Sequence, residues 1–174
     1  MSTTLSPEVC ATLRDGGLVT LRPLGQGEVG PQVAVLEGMS EASRYQRFLV
    51  AMPPRLPGPV LAALGDVDGH RHVAWLASVD GRPVGIARYV LVDTGTAELA
   101  FEVVDAEQGR GIGTALLDAL AVTAAGNGVR RFRASVHPGN AASVRLLRHV
   151  GLRLHLVDGL LEGASELRVP DLVV

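Results

Sequence analysis

Residues 98–113 read ELAFEVVDAEQGRGIG, and no other stretch of the 174-residue chain restricts its fold so tightly. The first half alternates as a strand does: Glu98, Ala100 and Glu102 share one face, and Leu99, Phe101 and Val103 the other. A short polar turn follows, then glycines at 109, 111 and 113. Residues 111–125 then repeat at helical spacing, with Leu116, Leu117 and Leu120 on the buried stripe. Glycines at such a junction let the backbone come close to a ligand, and the helix start presents N–H groups that have no partner within the helix. Together with the helix dipole they make a site for phosphate oxygens. In the plainer alternative the glycines only make a tight strand-to-helix turn.

The rest of the chain is organised around that junction. Residues 1–15 read as a loose lead-in, and 16–174 as a single domain without repeats or composition shifts. A strand over 18–24 is stopped by Pro23 and Gly25. Helical spacing covers 25–39 and 40–50, with Ser40 and Glu41 suited to a helix start. A proline-rich link, MPPRLPGP, leads to a short helix near 60–64. Two β-rich runs, 72–79 and 83–92, are joined by Asp80-Gly81, a strong hairpin signal. A third strand covers 96–104, another 131–136, and a helix 140–150 is stopped by Gly151. Strands over 152–157 and 162–169 close the chain. These elements specify an α/β protein with a mixed sheet flanked by helices.

Composition excludes several classes. An apolar share of 47% supports a continuous core and rules out a disordered chain. The net charge of −2 lacks the basic excess of a dedicated nucleic-acid binder. All 16 basic residues are arginine, so a Walker-type phosphate loop, which needs lysine, is out. The single cysteine, Cys10, excludes an internal disulfide framework and a cysteine-built zinc site, and reads as an inert passenger. The start, MSTTLSPEVC, does not read as a signal peptide, and no apolar run reaches 18 residues. The expectation is a cytoplasmic protein that neither spans a membrane nor binds one.

Two nucleotide readings compete for the glycines. A dinucleotide fingerprint needs a sixth-position glycine where Thr114 stands, and an acidic residue about 20 positions on. None occurs between Ala119 and Asp158, so that reading fails. The pattern Q/R-x-x-G-x-G/A, filled by Gln108, Gly111 and Gly113, is instead similar to the pyrophosphate loop of the GNAT N-acetyltransferase family. The segment NAASVRLLRHVG after His137-Pro138-Gly139 resembles that family's N-x-x-S/A…G-F stretch. The resemblance covers most of the chain. It implies the GNAT fold, a mixed and mostly antiparallel sheet flanked by helices, and acetyl-CoA as co-substrate without a metal. It also implies cofactor contacts from Val103, Val104, Gln108, Gly109, Arg110, Gly111, Ile112, Gly113, Thr114, Asn140 and Ser143. Asn140 is equally suited to be a helix N-cap, and the two roles are compatible.

Acetyl transfer needs a neutral amine, and a lysine-type amine with a pKa of about 10.4 arrives protonated. A general base must take that proton. The ELAF run matches the E-x-A-F run of the family's protein-lysine acetyltransferases, which implies Glu98 as base with Glu102 as second candidate. Apolar strand neighbours are expected to desolvate the Glu98 carboxylate and raise its pKa; the alternative is a solvent-facing strand glutamate. Many family members carry a tyrosine acid seven positions after the asparagine, where this chain has Leu147. His137 is a weak substitute, since a histidine before a proline in a loop is more often structural.

The segment SEASRYQRF at 40–48 resembles the S-x-x-S-x-Y-x-R-F stretch of bacterial protein-lysine acetyltransferases that modify metabolic enzymes. DVDGHRHVA at 66–74 and Arg88-Tyr89-Val90 fit the same subgroup. His70 and His72 have no supporting ligand set and read as packing or capping residues. The resemblance implies acetylation of a protein lysine. A small-molecule amine acceptor and a non-catalytic acyl-CoA sensor are the alternatives, and a homodimer is left open.

Overall fold

The computed structural model describes residues 7–170. Its strands are β1 (Val9–Thr12), β2 (Leu18–Pro23), β3 (His72–Val79), β4 (Arg82–Asp93), β5 (Thr96–Val103), β6 (Arg131–Val136), β7 (Leu154–Val157) and β8 (Leu160–Glu166). Its helices are α1 (Gly30–Glu37), α2 (Glu41–Phe48), α3 (Gly58–Gly65), α4 (Ile112–Gly126) and α5 (Ala141–His149). The strands form one sheet in the order β1-β2-β3-β4-β5-β6-β8-β7. Only the β5–β6 pair is parallel; the other neighbours run antiparallel. The mixed, mostly antiparallel sheet flanked by helices is the architecture expected from the sequence.

Pleating decides what each face of the central strands meets. Gly85, Ala87 and Tyr89 of β4 turn toward α4, where a Cβ on Gly85 would sit 3.1 Å from Leu116. Trp75, paired with Ala87, donates from its indole nitrogen to Thr123 of α4 at 3.0 Å. The opposite face of β4 and β5 lies beneath α1 and α2. Leu116, Leu117 and Leu120 of α4 are fully buried, as their helical spacing requires.

Two expectations change. The lead-in over 1–15 contains a strand, because β1 pairs with β2 from Val9↔Leu21 to Thr12↔Leu18 and Leu13 is buried beside it; residues 1–6 of that lead-in lie outside the described residues. Cys10 is exposed on this edge strand. The helix expected over 25–39 is confined to Gly30–Glu37. Pro31 sits in its first turn, and the Glu28 carboxylate closes a turn before it by accepting from Gly25 and Arg22. Among the described residues, no helix is long and apolar enough to cross a membrane.

Candidate active site

Strands β5 and β6 pair only from Thr96↔Arg131 to Glu98↔Arg133. Beyond Glu98 they part, and residues 99–103 of β5 face 134–136 of β6 across a groove of about 670 Å³. One edge of β5 therefore lacks a strand partner along that stretch, a ready place for an extended ligand to hydrogen-bond. At its far end the groove reaches Gln108, Gly109, Gly111, Ile112, Gly113 and Thr114.

That end is built by backbone geometry. Gly109 and Gly111 have φ of +80° and +97°, and Gly111 is the N-cap of α4. No side chain caps this helix, and no acidic residue lies in its first turn. Its first N–H groups are free to meet an anion, with the dipole of a 15-residue helix behind them. Gly113 answers a different need: a Cβ there would fall 2.8 Å from Leu146, so it lets α5 lie close against α4. Gln108 lines the groove and donates to the Val103 carbonyl at 3.2 Å, which folds the loop back onto β5. Asn140 caps α5 by accepting from the Ser143 N–H at 3.1 Å, and both residues line the groove.

Two of the expected contacts do not face the groove. Val104 turns its side chain against Gly38, and its N–H is spent on the Val84 carbonyl. The Arg110 guanidinium bonds Asp15 at 2.6 Å and also pairs with Glu107, so it ties the loop to the β1–β2 turn. Those two carboxylates raise the Arg110 pKa, and Arg110 in turn lowers that of Asp15. Arg14 was not singled out from the sequence. Its N–H donates to the Arg110 carbonyl at 3.1 Å, and its side chain lies over Gly111, lining the groove. Only the pairing of β1, unmarked in the sequence, puts a cation there.

The two glutamates of β5 have unlike surroundings. The Glu98 side chain is 45% exposed and bonds Arg133 at 2.8 Å, so it lacks the desolvation expected from its apolar neighbours. Glu102 is the buried carboxylate. One oxygen accepts from Gln32 Nε2 at 2.7 Å and the other from Arg47 Nε. The Gln32 carbonyl accepts in turn from Arg88, which also reaches the Leu64 carbonyl at 2.7 Å and His72 Nε2 at 3.1 Å. Burial alone would raise the Glu102 pKa, but Arg47, Arg88 and the two hydrogen bonds outweigh it and hold the group below the usual carboxylate range. Burial pushes Arg88 down to about 10, against the pull of Glu102, so it stays charged at neutral pH. Burial and the Arg88 charge lower the His72 pKa, in keeping with a packing role.

Glu102 therefore anchors α1, α2 and β4 to β5, with one hydrogen bond on each carboxylate oxygen. A depressed folded-state pKa contributes stability that is present above the unfolded value and lost as pH falls through the folded one. Glu102→Gln should cost roughly 3 kcal/mol in urea unfolding at pH 7, since it leaves buried Arg88 and partly buried Arg47 without their shared carboxylate. The gap between variant and parent should narrow on acidification. An equal cost at pH 7 and at pH 3 would show that the carboxylate charge is irrelevant to the fold.

The sequence profile of the Acetyltransferase (GNAT) family matches residues 40–152. The chain belongs to this family. It is 34% identical over 143 residues to the "Acetyltransferase Pat" of Mycolicibacterium smegmatis, covering 80% of this chain and 42% of that protein. It is likewise 34% identical to an acetyltransferase of Pseudomonas aeruginosa over 69% of this chain and 67% of that one. Among solved structures, the GNAT domain of S. lividans PAT superposes with a TM-score of 0.84 at 31% identity, over 92% of this chain and 97% of that domain. The chain thus spans less than half the length of the M. smegmatis relative.

Within this GNAT frame the tyrosine position holds Leu147, a core residue only 1% exposed. His137 is not on the groove wall; its Nδ1 accepts from the Gly139 N–H at 3.0 Å and shapes the loop before α5. No cluster of three or more His, Cys, Asp or Glu side chains suited to a metal occurs among the described residues. The Asp68 carboxylate accepts from the N–H groups of His70, Arg71 and His72, so that histidine pair belongs to a turn.

Proposed function

We propose that the chain transfers the acetyl group of acetyl-CoA to a primary amine, with a protein lysine ε-amine as acceptor and Glu98 as base. The observation that carries this is the unpaired edge of β5, which runs from the exposed Glu98 carboxylate toward the free N-terminus of α4. A donor lying along that edge puts its pyrophosphate on the helix N–H groups and its thioester beside β5. Pairing with the strand then positions the thioester, and proximity supplies much of the rate.

The amine approaches from the Glu98 end. Its proton has to leave before attack, and Glu98 is the carboxylate of β5 that solvent and substrate can reach. Its pair with Arg133 is exposed on both sides, and such pairs are worth about 0–1 kcal/mol, so exchanging Arg133 for an ammonium costs little. The surrounding sheet face favours a macromolecular acceptor. Val90 and Val92 of β4 stand 41% and 40% exposed next to Glu98, leaving an open apolar shelf. The likeness to a PAT GNAT domain and to the acetyltransferase Pat supports acetyl transfer as the reaction. Release of CoA thiol, followed with peptides that contain or lack lysine, tests the reading. Turnover independent of any amine would overturn it.

Self-modification offers a second check. The chain contains no lysine, so only its N-terminal amine can take a stable amide-linked acetyl group. Mass spectrometry after prolonged incubation with acetyl-CoA should show at most one such addition. Two or more would place the chemistry on groups other than amines.

A further inference from the structure

The side chain of Arg14 lies against the glycine loop without being needed to build it. Arg14 stands in the turn that joins β1 to β2, outside the 40–152 stretch that the family profile matches. The turn is firmly set. Leu13 is buried and donates its N–H to the Gly17 carbonyl at 2.7 Å, and the Asp15 carboxylate accepts from the Gly17 N–H at 3.0 Å. Two further ties fasten the turn to the loop: the Arg14 N–H donates to the Arg110 carbonyl, and Asp15 pairs with the Arg110 guanidinium. This frame carries the Arg14 side chain onto the N-cap of α4. Its Cγ and Nε lie 3.6 and 3.7 Å from where a Cβ on Gly111 would stand.

The neighbouring charges are paired in a way that leaves Arg14 over. Arg110, the loop's own arginine, is taken up by Asp15 and Glu107. It masks both carboxylates at a place where an incoming anion would otherwise meet them. Arg47 and Arg88 are engaged by Glu102 and Gln32. The exposed guanidinium of Arg14 has no carboxylate partner among the described residues. Arg145 of α5 also lines the groove without one, but it is Arg14 whose side chain lies on the N-cap residue. What marks Arg14 is its place: a cation on a fixed turn, beside the uncapped start of a 15-residue helix, with both lining one groove. A helix start alone attracts an anion modestly in water. Fork-shaped donors that match phosphate oxygens add a second, directional hold.

We propose that Arg14 is a donor-binding residue that holds the pyrophosphate of acetyl-CoA together with the N–H groups of α4. The proposal rests on the acetyl-CoA reading above, and adds to it a cation from outside the glycine loop. Because the backbone that carries Arg14 is already fixed, only the side chain has to be ordered when the donor binds.

Calorimetry on the intact protein tests this with CoA and dephospho-CoA, which share the pyrophosphate and differ in the 3′-phosphate. Arg14→Gln should weaken both ligands by about tenfold or more, the loss of one charge-assisted contact. Arg14→Lys should keep part of the affinity. As NaCl is raised, affinity should fall less steeply in Arg14→Gln than in the parent or in Arg14→Lys. A side chain that only shaped the loop would not move that slope. Both ties between turn and loop use the Arg14 backbone or Asp15, so they survive the substitution, and thermal melting without ligand confirms that the variants fold. Binding of both ligands within about twofold of the parent overturns the proposal, as does an unchanged salt dependence. A loss confined to CoA puts Arg14 on the 3′-phosphate and overturns it too. Failure of the parent to bind CoA overturns the acetyltransferase reading, and the proposal with it.

Discussion

Glu98→Gln should lower turnover by roughly 10²- to 10⁴-fold while leaving acetyl-CoA affinity unchanged. The side chain is exposed and outside the buried network, so the amide replaces it with little cost to the fold. What disappears is the proton acceptor for an ammonium whose pKa lies roughly three units above neutral. The residual rate should climb with pH, since more acceptor becomes neutral unaided. Initial rates from pH 7 to 9.5, with binding measured in parallel, check both parts. A variant within about threefold of the parent would remove Glu98 as base. That outcome would leave Glu102, which also lines the groove, or water and the alkaline fraction of the amine.

Gly111→Val should weaken acetyl-CoA binding by about 100-fold, the loss of one or two charge-assisted hydrogen bonds. Gly111 holds φ +97°, a conformation that strains a β-branched residue by about 1–3 kcal/mol. Its Cβ would make only ordinary van der Waals contact with the Arg14 side chain, at 3.6 Å, so the backbone strain carries the effect. Relief of that strain would shift the N-cap and turn the α4 N–H groups off their target. Calorimetry with acetyl-CoA reads the effect, and melting without ligand separates it from unfolding. Unchanged affinity in a folded variant would place the pyrophosphate elsewhere.

Local signals in the sequence translated directly into local structure. Asp80-Gly81 makes a two-residue turn with both φ values positive, the twist that hairpin strands favour. Ser40 and Asn140 each cap a helix through their own side chains. The glycine-rich turn into α4 was equally legible, because its glycines and its helix lie side by side in the chain. Strand β1 was not, since VCAT is four residues long and has no alternating apolar face. Nor was the Glu102 network, whose partners Gln32 and Arg47 lie 70 and 55 residues away. Strand alternation placed Glu98 and Glu102 on one face and could not say which of them a helix covers. That is decided by α1 and α2, which cover Glu102 and leave Glu98, expected to be desolvated, exposed.

The short β5–β6 ladder has a consequence for cooperativity. Three residue pairs join strands β1–β5 to strands β6–β8, with helix contacts adding to the seam. An ordinary sheet knits its two halves together along a full strand; this one is left basted rather than sewn. If the donor lies along the vacant edge as proposed, it supplies the missing stitches, and only in the folded state. Loaded and empty protein should then differ less in shape than in how far an opening at one margin spreads to the other. On the proposed binding mode, the same cut that admits the substrate makes its presence part of the mechanical continuity of the molecule.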